Sequence, residues 1–508
     1  MNTPIILSNI EVHEEKSFRE NDVDLTLVIL TPTVAREECD CACPSPSFPS
    51  VVITNGNQTW QRVFGLYESK LKDAFTLVFD PLGGGHMAVL NSSALRVMDV
   101  FSTPLSIVDL PAKIPELQPE DAIIAAKKMA ALGLLQIEQK PFLKPNHTLP
   151  DTLTAWLHLT NECNLRCDYC YLHKTHESMT LERGQQAVDA VFRSATAQSF
   201  REVKLKYAGG ESTLEFDLIL QLHDYARERA NKFGLGLIGV VLSNGIGISK
   251  QMIESLRERG IRLSISLDGI GEYHDAQRKF QNGRGSFELV ERSLDRLIQQ
   301  GFKPSITVTV SQRNADGLPQ VFEYLLKREL PFTINFYREN EHSASFKDLA
   351  YQDEQMIGAM RGAFAKIENN LPPFSILGAI TDRARLDAPH LQPCGVGHSY
   401  MVIDQNGNAA KCHMEIERKI TDISAADPLK VLQLDMIGIQ NRSVEEKEGC
   451  RTCDWRYYCA GGCPAFTYRV TGRYDVKSPN CRIYKALFPD VLRLEGLRLL
   501  KYADTLPM

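Results

Sequence analysis

The chain has 508 residues, 57 of them basic and 63 acidic, and a formal net charge of -6 at pH 7. At about 100–200 residues per domain this length predicts about three domains, and the near balance of charges argues against nucleic acid or a membrane surface as a partner. No apolar run approaches the ~18 residues that span a bilayer, and the first residues lack the pattern of a secretory signal. We therefore expect a cytoplasmic protein.

The thirteen cysteines form groups of three, three and seven along the chain. Cysteines that are clustered and odd in number indicate metal ligands in a reducing compartment more than disulfides. The first group, Cys39, Cys41 and Cys43, lies in the proline-rich N-terminal segment 1–50. Because alternate cysteines cannot easily close a tetrahedral site without a fourth ligand from elsewhere, surface thiols are favoured there over a metal site.

Residues 51–140 have the pattern of a small α+β domain. Two strand-like runs, 75–79 and 86–90, flank a glycine-rich turn and predict a hairpin, and helical patterns over 92–101 and 119–132 follow. This order resembles the winged-helix recognition domain found beside enzymes that modify ribosomally made peptides, where a leader peptide adds a strand to the sheet edge. A winged-helix domain with a purely structural role stays an alternative.

A proline-spaced linker, residues 141–151, separates this domain from residues 152–375, in which strand-like runs alternate with amphipathic helices. The alternation predicts an α/β fold with a parallel sheet, whose ligand-binding loops lie at the carboxyl ends of the strands. The predicted strands are 153–160, 203–207, 237–242, 262–267, 305–310 and 332–337.

The loop after the first of these strands carries Cys163, Cys167 and Cys170 at C-x3-C-x2-C spacing. Three thiolates are one short of the four that normally hold a four-iron cluster, so one iron is open to a ligand from outside the protein. A zinc site or an incomplete four-cysteine cluster could use the same spacing. With Tyr169 before the last cysteine, the stretch resembles the radical S-adenosylmethionine (SAM) superfamily.

The resemblance implies a partial (β/α)6 barrel in which the open iron of a 4Fe–4S cluster binds the amino and carboxylate groups of SAM. In that family the reduced cluster cleaves SAM to a 5′-deoxyadenosyl radical. The cofactor carries the difficult step, while protein groups orient it.

The loops after the second, third and fourth strands extend the resemblance. The second has Gly-Gly-Glu followed by Ser212 where the family has a G-G-E-P motif, and the third is a Ser-Asn-Gly turn. The fourth resembles the S-L-D-G…H-D…R pattern of the branch that modifies peptides and proteins. Taken singly, a glycine turn or a surface arginine would be explained without a ligand. The resemblance implies SAM contacts by Tyr169, Gly209, Gly210, Glu211, Ser243, Asn244, Ser266, Asp268 and Arg278.

Residues 376–490 contain the remaining seven cysteines, and residues 491–508 are expected to form a C-terminal helix or tail. Seven ligands are too many for one ordinary cluster, and their spacings suit two interleaved sites better than zinc ribbons. The region resembles the SPASM extension, a twin-cluster iron–sulfur domain of peptide and sulfatase maturases. The resemblance assigns an outer 4Fe–4S cluster to Cys450, Cys453, Cys459 and Cys481, and an inner one to Cys394, Cys412 and Cys463.

The inner set lacks a cysteine shortly upstream of Cys394, where fully ligated members of the family have one. The inner cluster therefore has either an iron open to substrate or a ligand other than cysteine, and we favour the open site. No spacing selects a catalytic acid or base, for which Tyr337 and buried carboxylates are candidates.

The function we expect is that of a radical SAM peptide maturase, which forms an oxidative thioether or carbon–carbon cross-link in a ribosomally made peptide. Its expected partners are a peptide or protein substrate with a leader peptide and a flavodoxin- or ferredoxin-type electron donor. Two alternatives within the superfamily are a formylglycine-forming modifier of the sulfatase-maturating kind and an enzyme-subunit maturase. An iron–sulfur electron-transfer protein without radical chemistry is the alternative from another class.

Overall fold

A computed structural model of the protein describes residues 28–31, 58–82, 87–138, 151–378 and 380–503. The cysteines of the N-terminal segment and all of the predicted linker except residue 151 lie outside the described residues. Within the described part, no helix is long and apolar enough to cross a membrane.

Two small antiparallel sheets and two main helices form the N-terminal part. One sheet has the strand order β1-β5-β4-β3 and the other the order β6-β2-β7. The predicted hairpin is present as β4 and β5, and the side chain of Asn91 caps the helix that follows it. The elements are β1 (Ile29–Leu30), β2 (Thr59–Arg62), β3 (Tyr67–Lys70), β4 (Thr76–Phe79), β5 (Ala88–Leu90), α1 (Ser92–Val100), β6 (Leu105–Ser106), α2 (Pro119–Ala131) and β7 (Leu135–Ile137).

Strand β4 is buried on both faces of the four-stranded sheet, since each of its residues is buried. Val78 belongs to a core formed with helices α1 and α2, whereas Leu77 and Phe79 belong to the large core of the rest of the molecule. Phe79 stacks on Trp455 at a centroid distance of 6.0 Å and lies 4.7 Å from the ring of Tyr458. This packing fixes the N-terminal sheet against the C-terminal cysteine region.

The middle of the chain forms the predicted α/β partial barrel, which is confirmed. Six consecutive strands pair in parallel, and the predicted strand 305–310 has the bounds that the structure gives to β12. The strands are β8 (Thr152–Thr160), β9 (Glu202–Gly209), β10 (Gly236–Ser243), β11 (Arg262–Ser266), β12 (Ser305–Val310) and β13 (Phe332–Phe336). The helices are α3 (Leu181–Ala197), α4 (Phe216–Phe233), α5 (Lys250–Arg259), α6 (Glu272–Asp275), α7 (Phe287–Gln299), α8 (Leu318–Lys327) and α9 (Asp353–Asn369).

The C-terminal region adds three strands to this same sheet, which the sequence did not predict. Strand β14 (Tyr400–Ile403) pairs in parallel with β8, and β15 (Asn408–Ala410) and β16 (Thr421–Asp422) follow antiparallel. The result is a nine-stranded sheet that places the C-terminal cysteines beside the first barrel loop. The remaining helices are α10 (Pro428–Leu434), α11 (Arg456–Cys459), α12 (Pro464–Thr471) and α13 (Cys481–Lys501), and α13 crosses the boundary that we expected at residue 490.

Candidate functional site

A cavity of about 360 Å³ lies at the carboxyl ends of the barrel strands. Its wall includes the ends of β9, β10 and β11, the strands whose loops carry the predicted SAM contacts. Its wall also includes two groups of thiols that are more than 200 positions apart in the chain. These thiols belong to Cys163, Cys167, Cys170, Cys394, Cys412 and Cys463.

The three thiols of the first loop are close enough to influence one another. Burial raises the pKa of Cys167 to about 12, a shift that nearby Arg278 opposes and the other two thiols increase. Burial likewise raises the pKa of Cys163. Bound iron would supply the positive charge that holds such sulfurs as thiolates.

The two glycines after β9 are required by a close approach to the cysteine loop. A Cβ atom added at Gly209 would lie 2.5 Å from the carbonyl oxygen of Thr160, and one at Gly210 would lie 2.2 Å from that of Glu162. The Gly210 amide donates to Thr160 at 2.6 Å. The sequence pattern assigned these glycines to SAM, whereas the close backbone contact in the structure is to the loop that carries the thiols.

Glu211 and Ser212 tie this loop to the next strand. The Glu211 carboxylate accepts hydrogen bonds from the Asn244 amide at 2.6 Å and from the Thr213 hydroxyl at 2.6 Å. The Ser212 hydroxyl donates to the carbonyl of Leu242 at 2.7 Å, a bond that the family's proline could not make. The two side chains therefore brace the loops around the site.

Of the three predicted polar contacts Asn244, Ser243 and Ser266, only Asn244 reaches the cysteine loop with its side chain. The Asn244 amide side chain donates to Asn164 at 2.6 Å and lies 4.0 Å from the sulfur of Cys163. The hydroxyl of Ser243 accepts from the backbone of its own turn at 2.9 Å. Ser266 lines the cavity.

Asp268, Tyr169 and Arg278 form a buried set beside the cavity. The Tyr169 hydroxyl donates to Asp268 at 2.7 Å and contacts the Arg278 guanidinium, which lies 3.7 Å from the same carboxylate. The Nε of Arg278 is buried and has no hydrogen-bond partner among the described residues. Arg278 also lines the cavity, so its positioned guanidinium fits an anionic ligand group there.

The histidine and aspartate of the S-L-D-G…H-D…R pattern support the fold of the loop. His274 accepts from the Asp268 amide at 3.2 Å and contacts Ser286 at 3.0 Å, and Asp275 accepts from the Ser286 amide at 2.7 Å. These contacts hold Asp268 in place without reaching the cavity themselves.

The C-terminal cysteines separate in space into the two predicted groups. Burial raises the pKa of Cys412, and repulsion from Cys463 and Cys394 raises it further. In the other group, burial raises the pKa of Cys459 to about 12, and repulsion from Cys450, Cys453 and Cys481 adds to the effect. Within the described residues, no three histidine, cysteine or acidic side chains gather closely enough for a single ion. A four-iron cluster separates its thiolates more widely than a tetrahedral zinc ion does.

An aromatic wall between the two cavity groups was not predicted from the sequence. Trp156 stacks on His413 at a centroid distance of 4.5 Å, and the Tyr400 hydroxyl lies 3.1 Å from His413 Nδ1. Burial lowers the pKa of His413 to about 3, so this wall is uncharged at neutral pH. Tyr337 also lines the cavity, with its hydroxyl 2.8 Å from that of Ser343. In the sequence, the position of His413 next to Cys412 was the one feature that could have indicated its place in this wall.

Residues 157–325 match the model of the radical SAM superfamily. The Fe-coproporphyrin III synthase of Methanosarcina barkeri is 30% identical over 190 residues, which are 36% of this chain and 43% of that protein. The mycofactocin maturase MftC of Mycolicibacterium smegmatis is 26% identical over 336 residues, which are 64% of this chain and 81% of that protein. The structure of anSMEcpe with bound AdoMet and Cp18Cys peptide aligns with a TM-score of 0.56 at 20% identity, over 70% of this chain and 99% of that one.

Residues 157–325 therefore form a radical SAM domain, and the protein is an enzyme whose cofactors are SAM and 4Fe–4S clusters. Proteins to which it is similar include a mycofactocin maturase and cysteine-type anaerobic sulfatase-maturating enzymes. The likeness to anSMEcpe shows that the fold is shared.

Proposed function

We propose that the protein is a peptide maturase that oxidatively cross-links a residue of a ribosomally made peptide, through a thioether or a carbon–carbon bond. One observation carries this proposal: a single cavity is walled both by the first cysteine loop and by the inner C-terminal cysteines. A substrate side chain in that cavity lies between the site of radical formation and a second redox centre.

The electron balance of such a cross-link requires two centres. A thioether forms when one C–H and one S–H bond break and one C–S bond is made, so two protons and two electrons leave the substrate. When bound, the first cluster and SAM supply a radical that takes one hydrogen atom. The second electron needs another acceptor, which would be an iron–sulfur cluster held by Cys394, Cys412 and Cys463, and the thiol proton would leave to solvent.

This chain's own residues would hold and orient the cofactors. Cys163, Cys167 and Cys170 would ligate the first cluster, and the guanidinium of Arg278, which lines the cavity, would pair with the SAM carboxylate. Asp268 and Tyr169 fix the direction of that guanidinium. A donor set of three thiols with one positioned cation fits an iron cluster with a chelating carboxylate ligand.

The cavity wall also contains aromatic rings that a peptide side chain could contact. The stacked rings of Trp156 and His413 line the cavity beside the proposed cofactor sites. We propose that a substrate side chain packs against these rings while its reacting atoms face the cofactors.

The N-terminal sheet supports recognition of a leader peptide. Strand β3 is an edge strand, so it has backbone groups for one more strand. Phe64, just before β3, is 91% exposed and offers an apolar contact beside that edge. Because Phe79 and Trp455 fix this sheet to the C-terminal region, a bound leader would stand at a constant distance from the cavity.

We further propose a flavodoxin- or ferredoxin-type donor, since reduction of the first cluster consumes one electron from outside the protein. The clustered cysteines place this chemistry in the reducing cytoplasm.

The first test is formation of 5′-deoxyadenosine by the reconstituted, reduced protein with SAM. We expect turnover by the wild type, none by Cys163→Ala, and wild-type turnover by Cys41→Ala, a cysteine to which the proposal gives no role. Turnover by Cys163→Ala at the wild-type rate would sink the proposal. A loaded wild-type protein that bound no SAM would instead indicate an electron carrier.

The second test is mass spectrometry of peptides encoded by neighbouring genes after coexpression. A cross-link removes two hydrogens and keeps every heavy atom, whereas formation of formylglycine from cysteine removes the sulfur and leaves an aldehyde. We expect the first result, and loss of the product when the peptide lacks its leader while the enzyme is left intact. An aldehyde would move the assignment to a modifier of the sulfatase-maturating kind.

A further inference from the structure

A lysine lies completely buried within the C-terminal cysteine region. The side chain of Lys447 is 1% exposed, and its Nζ donates to the carbonyl of Ala460 at 3.0 Å. Its own carbonyl accepts from the Cys450 amide at 3.1 Å. The backbone of Lys447 therefore lies three residues before Cys450 of the outer group. The tip of its side chain contacts the backbone between Cys459 and Cys463.

The backbone makes room for this side chain. A Cβ atom added at Gly461 would lie 2.5 Å from the Lys447 Cδ and 2.8 Å from its Nζ. The φ of Gly461 is +75°, in the left-handed region that favours glycine. The absence of a side chain at Gly461 therefore leaves room for the lysine.

No carboxylate pairs with Lys447 among the described residues, although buried cations elsewhere in this region have such partners. Lys411, for example, lies 2.9 Å from Asp435. The Lys447 Nζ lies instead against the backbone of Ala460, in the turn that joins Cys459 of the outer group to Cys463 of the inner group. Burial lowers the pKa of Lys447, and the thiols of Cys450, Cys459, Cys394 and Cys463 oppose that shift. A buried ammonium group is stable only with compensating negative charge, and thiolate-ligated clusters on both sides would provide it.

We infer that Lys447 is a positioning residue whose charge sets the reduction potentials of both auxiliary clusters together. This inference rests on the proposed assignment of two clusters to the outer and inner cysteine groups. Each cluster gains one electron on reduction, and a cation beside it stabilises the more negative, reduced form. One cation between two clusters keeps both of them able to accept an electron from the substrate side.

Two neighbouring groups touch only one cluster site each. Lys485 hydrogen-bonds to Cys453 and otherwise interacts with Cys481 and Cys459, all in the outer group. Asn441 lies 3.9 Å from the sulfur of Cys394 in the inner group. Substitutions of these residues identify which potential belongs to which cluster.

The experiment measures midpoint potentials on the full chain with Cys163, Cys167 and Cys170 all replaced by alanine, so that only the auxiliary clusters are loaded. Redox titration followed by electron paramagnetic resonance needs neither SAM nor a peptide. In this background we expect Lys447→Met and Lys447→Gln to shift both midpoints to more negative values. A tenfold change in the equilibrium constant of each one-electron reduction corresponds to ~59 mV. We expect Lys447→Arg to keep both midpoints, and Lys485→Met to shift the outer one alone.

The inference would be overturned if Lys447→Met and Lys447→Gln bind their clusters and keep both midpoint potentials unchanged. It would also be overturned if only one of the two midpoint potentials shifts. Loss of iron in both neutral variants would also overturn the inference, because Lys447 would then be required for cluster assembly and not for setting the potentials. A background protein that binds no iron would refute the two auxiliary clusters, whereas a failed deoxyadenosine assay would leave these potentials measurable.

Discussion

Replacement of Gly210 by alanine tests whether the loop after β9 positions the cysteine loop. The new Cβ would lie 2.2 Å from the carbonyl oxygen of Glu162 and 2.7 Å from that of Asn161, both backbone atoms that cannot rotate away. Folded proteins essentially never hold a Cβ closer than 3.0 Å to such an atom, so the cysteine loop must move by at least about 0.8 Å. Misplacement of reacting groups by ~1 Å costs on the order of 10²-fold in rate.

We therefore expect Gly210→Ala to keep its fold and to lose about two orders of magnitude in 5′-deoxyadenosine formation, measured at matched iron content. Gly358→Ala is the matched control, because Gly358 lies in α9 with nothing within 4 Å of the added Cβ. That variant should have the wild-type rate and gain about 0.5–1 kcal/mol in stability from the better helix former. A Gly210→Ala protein with full iron and wild-type turnover would refute this account of the loop.

Three further predictions concern stability. Phe79→Ala should lower the free energy of unfolding by ~3–5 kcal/mol in urea titrations, because Phe79 is 1% exposed and packs on Trp455. Phe64→Ala, at an exposed position, is the control. Equal losses of stability in the two variants would contradict the packing of Phe79. Ser212→Ala should cost about 1–3 kcal/mol by leaving the Leu242 carbonyl without its donor, and a neutral result would show that another donor replaces it. Burial lowers the pKa of His223 from 6.5 to about 4 in the folded protein. As the pH falls, the unfolded chain therefore protonates this histidine before the folded protein does. The contribution of neutral His223 to the free energy of unfolding should be fully present above pH 6.5 and should be lost towards pH 4. His223→Gln should flatten this part of the thermal melting profile, and an unchanged slope would assign it to other groups.

The sequence alone determined the elements whose signal is local. The alternation of strand-like runs with amphipathic helices predicted all six barrel strands, because β-branched and apolar residues recur over short runs such as Ser305–Val310. Cysteine spacing likewise predicted which thiols gather, since ligands a few residues apart on one loop must lie close together. The pairing of Cys463 with Cys394 and Cys412 came instead from family resemblance, and the structure brings these three together.

Local patterns do not determine which distant segments meet. The pattern Gly-Gly-Glu marked the loop after β9 correctly, but only the fold shows that Gly210 packs on the cysteine loop and that the Glu211 carboxylate is occupied by Asn244 and Thr213. The addition of β14 beside β8 was equally invisible, because strand pairing across more than 200 residues depends on the packing of everything between them.

The sequence by itself thus determined the barrel and the three-thiol loop, which depend on residue type and spacing, and its resemblance to the radical SAM superfamily indicated the class of chemistry. Only the tertiary structure decided that two thiol groups share one cavity and that Lys447 lies between the outer and inner groups. The physical reason is that a cavity wall and a buried charge are defined by contacts between separate elements. Their positions follow from the packing of the whole sheet and not from any one stretch of the chain.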